Sequence, residues 1–207
     1  VSELAQLEAE QQGEAEPMFG YTLRKQDTLG EIPSYMTATA AGMMEETLKN
    51  FSVKTYRKTV EAIRKARLID IYSVENSGVA AQDLLAKLLY LGLPCRYFSD
   101  SYYQRISAGS LTDEDVAVGI SYSGASKDTV DAMRTAKRSG AVTIVITNFR
   151  DSPICRYADI LICTSQEQFI YGNAIYSRMT QLLIVDMIYM GIIASDYKHY
   201  VLSLIHI

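Results

Sequence analysis

Five short apolar runs constrain this chain more than any other feature of its sequence. They lie at residues 68–74, 95–98, 116–121, 142–147 and 159–164. Each is short and dominated by Val, Ile, Leu or aromatic residues, the pattern of a buried strand. Between them come stretches with the three-and-four apolar spacing of helices: 79–91, with Leu84, Leu85, Leu88 and Leu89 expected inward, 101–109, and 126–139, with Val130, Met133 and Ala136 on its apolar side. Gly92 and Gly140 stand where helices end, and Pro94 prevents the first from resuming. A single helical turn is expected at 154–158 and a long helix over 171–193. Strands alternating with helices imply βαβ units, hence a parallel sheet covered on both faces. Right-handed crossovers leave few arrangements. The expectation is a three-layer α-β-α sandwich around a five-stranded parallel sheet of order 2-1-3-4-5, flavodoxin-like.

Such sheets bind ligands beyond the carboxyl ends of their strands, where strand order reverses. Two polar turns fall there. After the first strand comes Glu75-Asn76-Ser77-Gly78; after the third comes Ser121-Tyr122-Ser123-Gly124-Ala125-Ser126. Hydroxyls at a strand-to-helix turn can cradle an anion, because the N–H groups at a helix start are unpaired and the peptide dipoles favour negative charge there. An ordinary turn with a serine N-cap explains one or two of the same residues. Two such turns flanking one crevice favour an anion site, most plausibly for phosphate.

Composition excludes several functions. The 207 residues carry a net charge of −4 with no Lys/Arg-rich block, which argues against nucleic-acid binding by this chain itself. Cys95, Cys155 and Cys163 have no metal-ligand spacing, so no metal and no cofactor are expected, and reduced cysteines fit the cytoplasm. No signal peptide is visible at the N-terminus, and no apolar run approaches the ~20 residues that span a bilayer. The apolar stretch 182–193 is interrupted by Asp186, expected to be a buried polar anchor or a group at a subunit contact. Residues 1–46 read as a flexible or helical lead-in, with Pro17, Gly20, Gly30 and Pro33 as breakers. Helices are expected at 35–51, with Met36, Met43, Met44, Leu48 and Phe51 in helical spacing, and again from Ser52. The main domain is expected at 47–195 and a tail at 196–207.

The segments Ile120-Ser121-Tyr122-Ser123-Gly124-Ala125-Ser126-Lys127-Asp128-Thr129-Val130, Ala136-Lys137-Arg138-Ser139-Gly140-Ala141 and Ile144-Val145-Ile146-Thr147-Asn148 resemble the sugar isomerase (SIS) domain. Its central pattern is Ser-x-Ser-Gly-x-Ser/Thr-x-x-Thr/Ser. Ser152-Pro153-Ile154 and 157–162 resemble its next stretch. Ser177-Arg178-Met179-Thr180-Gln181-Leu182 with Asp186 resembles the final helix of the RpiR-type bacterial transcription regulators, in which a helix-turn-helix domain precedes an SIS sensor. The resemblance implies a phosphosugar held by Ser121, Ser123 and Ser126, with Ser77 of the first turn contacting the sugar or its phosphate; Asn76 and Gly124 complete the two turns. Thr129 matches the last hydroxyl, where packing, capping or contact are all open. Glu167 falls where several members place an acidic residue facing the sugar. The first turn departs from the family's Gly-x-Gly-x-Ser: here it is Ser73-Val74-Glu75-Asn76-Ser77, and Val74 and especially Glu75 would crowd or repel a phosphate unless Glu75 points away or the site takes a less charged ligand. Tyr122 would wall the pocket or pack.

Isomerisation between aldose and ketose needs a base and usually a second acid–base group. Glu167 is the best base candidate and Glu75 the second; His199 and His206 lie in the tail. A sensor needs only a pocket and a conformational bias. The expectation is therefore a phosphosugar-binding sensor of a carbohydrate-responsive regulator, as a homodimer or homotetramer, with no catalytic residue assigned. No helix-turn-helix is visible before Ser52, so the DNA reader would lie in a longer parent protein, unless the upstream domain has degenerated. Alternatives are a sugar-phosphate isomerase and a module acting mainly in oligomerisation.

Overall fold

The computed structural model describes residues 16–18, 21–23, 27–164 and 174–205. Two short strands, β1 (Glu16–Met18) and β2 (Tyr21–Leu23), form an antiparallel pair that was not expected in the lead-in. Helix α1 (Ile32–Lys49) follows, and Pro33 sits in its first turn rather than breaking it. Proline is tolerated there because that N–H has no intrahelical partner. Of its apolar residues Met43 is buried and Leu48 is exposed. Helix α2 (Val53–Lys65) begins at Ser52, whose hydroxyl accepts the Thr55 N–H at 3.2 Å.

The remaining elements alternate. They are β3 (Ile69–Tyr72), a 3₁₀ turn (Glu75–Ser77), α3 (Gly78–Tyr90), β4 (Cys95–Tyr97), α4 (Ser101–Gly109), β5 (Val116–Ile120), α5 (Lys127–Arg138) and β6 (Val142–Thr147). A second 3₁₀ turn (Pro153–Tyr157), β7 (Ile160–Cys163), α6 (Ala174–Ser195) and α7 (Tyr197–Ile205) complete the chain. The sheet runs β4-β3-β5-β6-β7 and every pairing is parallel. Counted from the first strand of this sheet, that is the expected 2-1-3-4-5 order.

The two faces divide the strand residues by the period of two. Ile69 and Ile71, Val116, Val118 and Ile120, Ile144 and Ile146, and Ile160 and Ile162 face one cluster with α2, α3 and α6. Tyr72, Ala117 and Val145 face the other, with Met133 and Ala136 of α5 and Ala108 of α4. In α3, Leu84 and Leu88 are fully buried and Leu85 packs at the margin. Leu89 is exposed, because i+1 from a buried position turns 100° away from the sheet. The apolar stretch of α6 is longer than expected: Ser177–Ser195 is long and apolar enough by composition to cross a bilayer. Ile184, Val185, Ile188 and Ile192 nevertheless pack in the core, as a core helix does. Asp186 is more than half exposed and pairs with Lys87 at 2.7 Å, so it is no buried anchor.

Candidate functional site

Strand order reverses between β3 and β5, and the turns that follow these two strands meet there. Val74, Glu75, Asn76 and Ser77 from the first turn, and Tyr122, Ser123 and Ser126 from the second, line one cavity of about 140 Å³ with Ser177 of α6. Helices α3 and α5 begin beside this cavity, at Gly78 and Lys127, and Ser177 of α6 lines it. The N–H groups at the start of α5 and the dipoles of α3 and α5 favour negative charge there, with no basic side chain among the described lining residues.

The second turn is built by its own hydroxyls. Ser121 is buried, and its Oγ accepts the Gly124 N–H at 3.1 Å; Ser123 Oγ accepts the Ala125 N–H at 3.2 Å. A hydroxyl accepting a backbone N–H still has its own proton to donate. Ser126 occupies the N-cap position of α5, yet its hydroxyl makes no cap bond. The hydroxyl therefore does not act as an N-cap acceptor, and Ser126 lines the cavity. Gly124 has φ +61°, and a Cβ there would lie 2.0 Å from Ser152 Oγ and 2.9 Å from Thr147 Oγ1. Only glycine fits both the left-handed backbone and the close approach. The Gly124 carbonyl accepts the Ile154 N–H at 3.0 Å, tying the turn to the segment after β6.

The first turn keeps a glycine-like backbone without the glycine. Glu75 has φ +52°, the single non-glycine residue in the left-handed region among the described residues. It is exposed at the cavity rim. Ser77 is buried beneath it. Its Oγ accepts the Tyr122 N–H at 3.4 Å and Gln181 Nε2 of α6 at 3.3 Å. Tyr122 walls the pocket and also packs, its ring edge-on to Phe149 at 5.6 Å. Burial pushes its hydroxyl pKa up to about 12, so it stays neutral.

Asn76, Ser77, Ser123 and Ser126 thus share one cavity, and Ser121 and Gly124 shape its second turn. Thr129 is buried one turn into α5. Glu167 lies outside the described residues, as does His206; His199 is exposed on α7 against the Tyr200 ring. Burial pushes the Cys95 and Cys163 thiols up to about 11, away from nucleophilic reactivity. Ser177 and Gln181 were not assigned to the site from sequence. They lie four apart on α6 and so share one face, but Arg178 and Thr180 between them blur that signal.

The chain has relatives by sequence and by fold. A 37% identical relative over 156 residues is an HTH-type transcriptional regulator of Caldanaerobacter subterraneus subsp. tengcongensis; the match covers 75% of this chain and 55% of the relative. The chain thus spans about half the length of that regulator. Among solved structures, the Vibrio vulnificus NanR protein complexed with ManNAc-6P superposes with a TM-score of 0.80 at 23% identity, covering 86% of this chain and 67% of that one. The sugar isomerase domain of an RpiR transcription factor from Sphaerobacter thermophilus gives 0.76 at 20% identity, covering 85% and 97%. Residues 62–191, from the last turn of α2 to the last turns of α6, match the SIS domain model, and the chain belongs to that family.

Proposed function

We propose that this chain is the phosphosugar-sensing domain of a carbohydrate-responsive bacterial transcription regulator. The observation that carries this is the convergence of two hydroxyl-bearing turns, at the starts of α3 and α5, on one cavity at the strand-order reversal. Ser123 and Ser126 hold the phosphate with the N–H groups at the start of α5, while Asn76 and Ser77 meet the sugar or its phosphate. Similarity to a helix-turn-helix regulator, and to a NanR structure complexed with ManNAc-6P, supports both the ligand class and the role. DNA is read by a domain outside this chain, in a cytoplasmic homodimer or homotetramer, and the domain unit runs over about residues 47–195.

The test is ligand-dependent melting with a panel of hexose, hexosamine and pentose phosphates. At a hundred times its Kd, a ligand adds about 2.7 kcal/mol, which raises Tm by roughly 5–10 °C for a chain of this size. Ser123→Ala with Ser126→Ala should abolish that rise. A panel that shifts nothing overturns the proposal. The same panel assayed for isomerisation separates sensor from enzyme: turnover that Glu167→Gln eliminates would establish the enzyme instead.

A further inference from the structure

Ser77 is a cavity hydroxyl held from two layers of the fold. A serine hydroxyl has two lone pairs and one proton. Here the Tyr122 N–H reaches its oxygen at 3.4 Å from one side and Gln181 Nε2 at 3.3 Å from another. With both lone pairs occupied, only the O–H is left for a ligand. Gln181 is itself 1% exposed, and its Oε1 is buried with no hydrogen-bond partner among the described residues. Gln104 Oε1 of α4 is left the same way, so what sets Gln181 apart is that its amide nitrogen reaches a hydroxyl lining the cavity. Leucine or methionine would fill the same space in an apolar helix without leaving an acceptor unpaired.

We propose that Gln181 is a positioning residue that commits the Ser77 hydroxyl to donating, so that this corner of the cavity admits a ligand oxygen and disfavours a ligand N–H. Phosphate, carbonyl and ether oxygens can accept from Ser77; an ammonium or amide N–H placed there finds no lone pair. Gln181 also stands one turn beyond Ser177 on α6, so the same helix that lines the cavity orients the buried Ser77 hydroxyl. The identity of the ligand oxygen rests on the sugar-phosphate function proposed above; the commitment of Ser77 does not.

The experiment has two arms. In the first, Ser77→Cys is made in the full chain with and without Gln181→Met. The pH dependence of iodoacetamide alkylation is then followed by mass spectrometry on the peptide carrying residue 77, so that Cys95, Cys155 and Cys163 do not contribute. A thiolate accepts the same two N–H groups, so Gln181→Met should raise the pH midpoint by about one unit, a tenfold change in thiolate fraction. An unchanged midpoint overturns the proposal whether or not any sugar phosphate binds. In the second arm, Gln181→Met alone should weaken the stabilising sugar phosphate about tenfold in Kd, while the ligand-free Tm stays level or rises. A Tm that falls with Kd unchanged marks a structural residue and overturns the proposal. If the unmodified chain binds no sugar phosphate, the sensor function fails, and the alkylation midpoint still decides the role of Gln181.

Discussion

Glu75 is the residue where backbone and side chain disagree. The turn keeps φ +52° there, a conformation natural to glycine, and adds a carboxylate at the rim of a cavity suited to an anion. A non-glycine residue in the left-handed region costs about 1 kcal/mol or more. Glu75→Gly should therefore raise the ligand-free Tm and also tighten sugar-phosphate binding. Glu75→Gln should tighten binding with little gain in Tm, and the gain in affinity should shrink as salt is raised. Calorimetric titration at two ionic strengths together with a melting curve checks both. The departure from glycine was visible in the sequence; the retained backbone angle was not, because it is imposed by the contacts of the turn rather than by the residue. Gln181 was less legible still. It lies 104 residues from Ser77, and in an apolar helix one amide is easily counted as core.

Helix α4 shows where periodicity misleads about which face goes inward. It buries Gln104, Ser107 and Ala108 and exposes Tyr102, Tyr103 and Ile106. The cause is the polar strand face beneath it. Asp70 on β3 is fully buried and receives hydrogen bonds from Tyr72 at 2.7 Å, from Arg96 at 2.9 and 3.0 Å, and from Ser107. Gln104 donates to the Ser73 carbonyl at 2.8 Å and to that of Phe98 at 2.6 Å, fixing the start of the first site turn. Arg96→Met should destabilise by about 3 kcal/mol, since it leaves a buried carboxylate without its cation; chemical denaturation measures it. The strands and their order were legible because four of the five carry apolar residues on both faces and because right-handed crossovers restrict the order. The inverted helix was not, because its partner is a single acidic residue inside a strand.

At the scale of the molecule, the folded unit is larger than the span that matches the family. Tyr56, Val60 and Ile63 of α2 and Tyr200 of α7 pack in the cluster that α6 shares. A chain starting at residue 62 should show no cooperative melting transition, because it lacks Tyr56, Val60 and the Ser52 cap. Acid should loosen the whole. Asp159 is drawn upward by burial, but Lys137 and the Thr143 N–H and hydroxyl outweigh this and hold its carboxyl below the usual range. Asp115 behaves likewise, with burial opposed by Thr112 and Arg67. Their stabilisation is present above the ordinary aspartate value near about pH 3.9 and is lost as pH falls through the lowered folded values. Melting followed from pH 6 to pH 2 should show the steepest loss below about pH 4. One joint governs how the layers can move. Gly191 of α6 lies under Tyr56: a Cβ there would fall 2.3 Å from the Tyr56 hydroxyl, which donates to the Met187 carbonyl at 2.5 Å. Axial slippage of α6 by one residue, about 1.5 Å and 100° of turn, would drive Met190 or Ile192 into that notch. The joint is thus keyed against sliding and rotation and leaves tilt as the motion open to α6. A disturbance at Ser177 or Gln181, roughly 15–20 Å up the same rod, would arrive at the N-terminal helices as a change of angle and not of register.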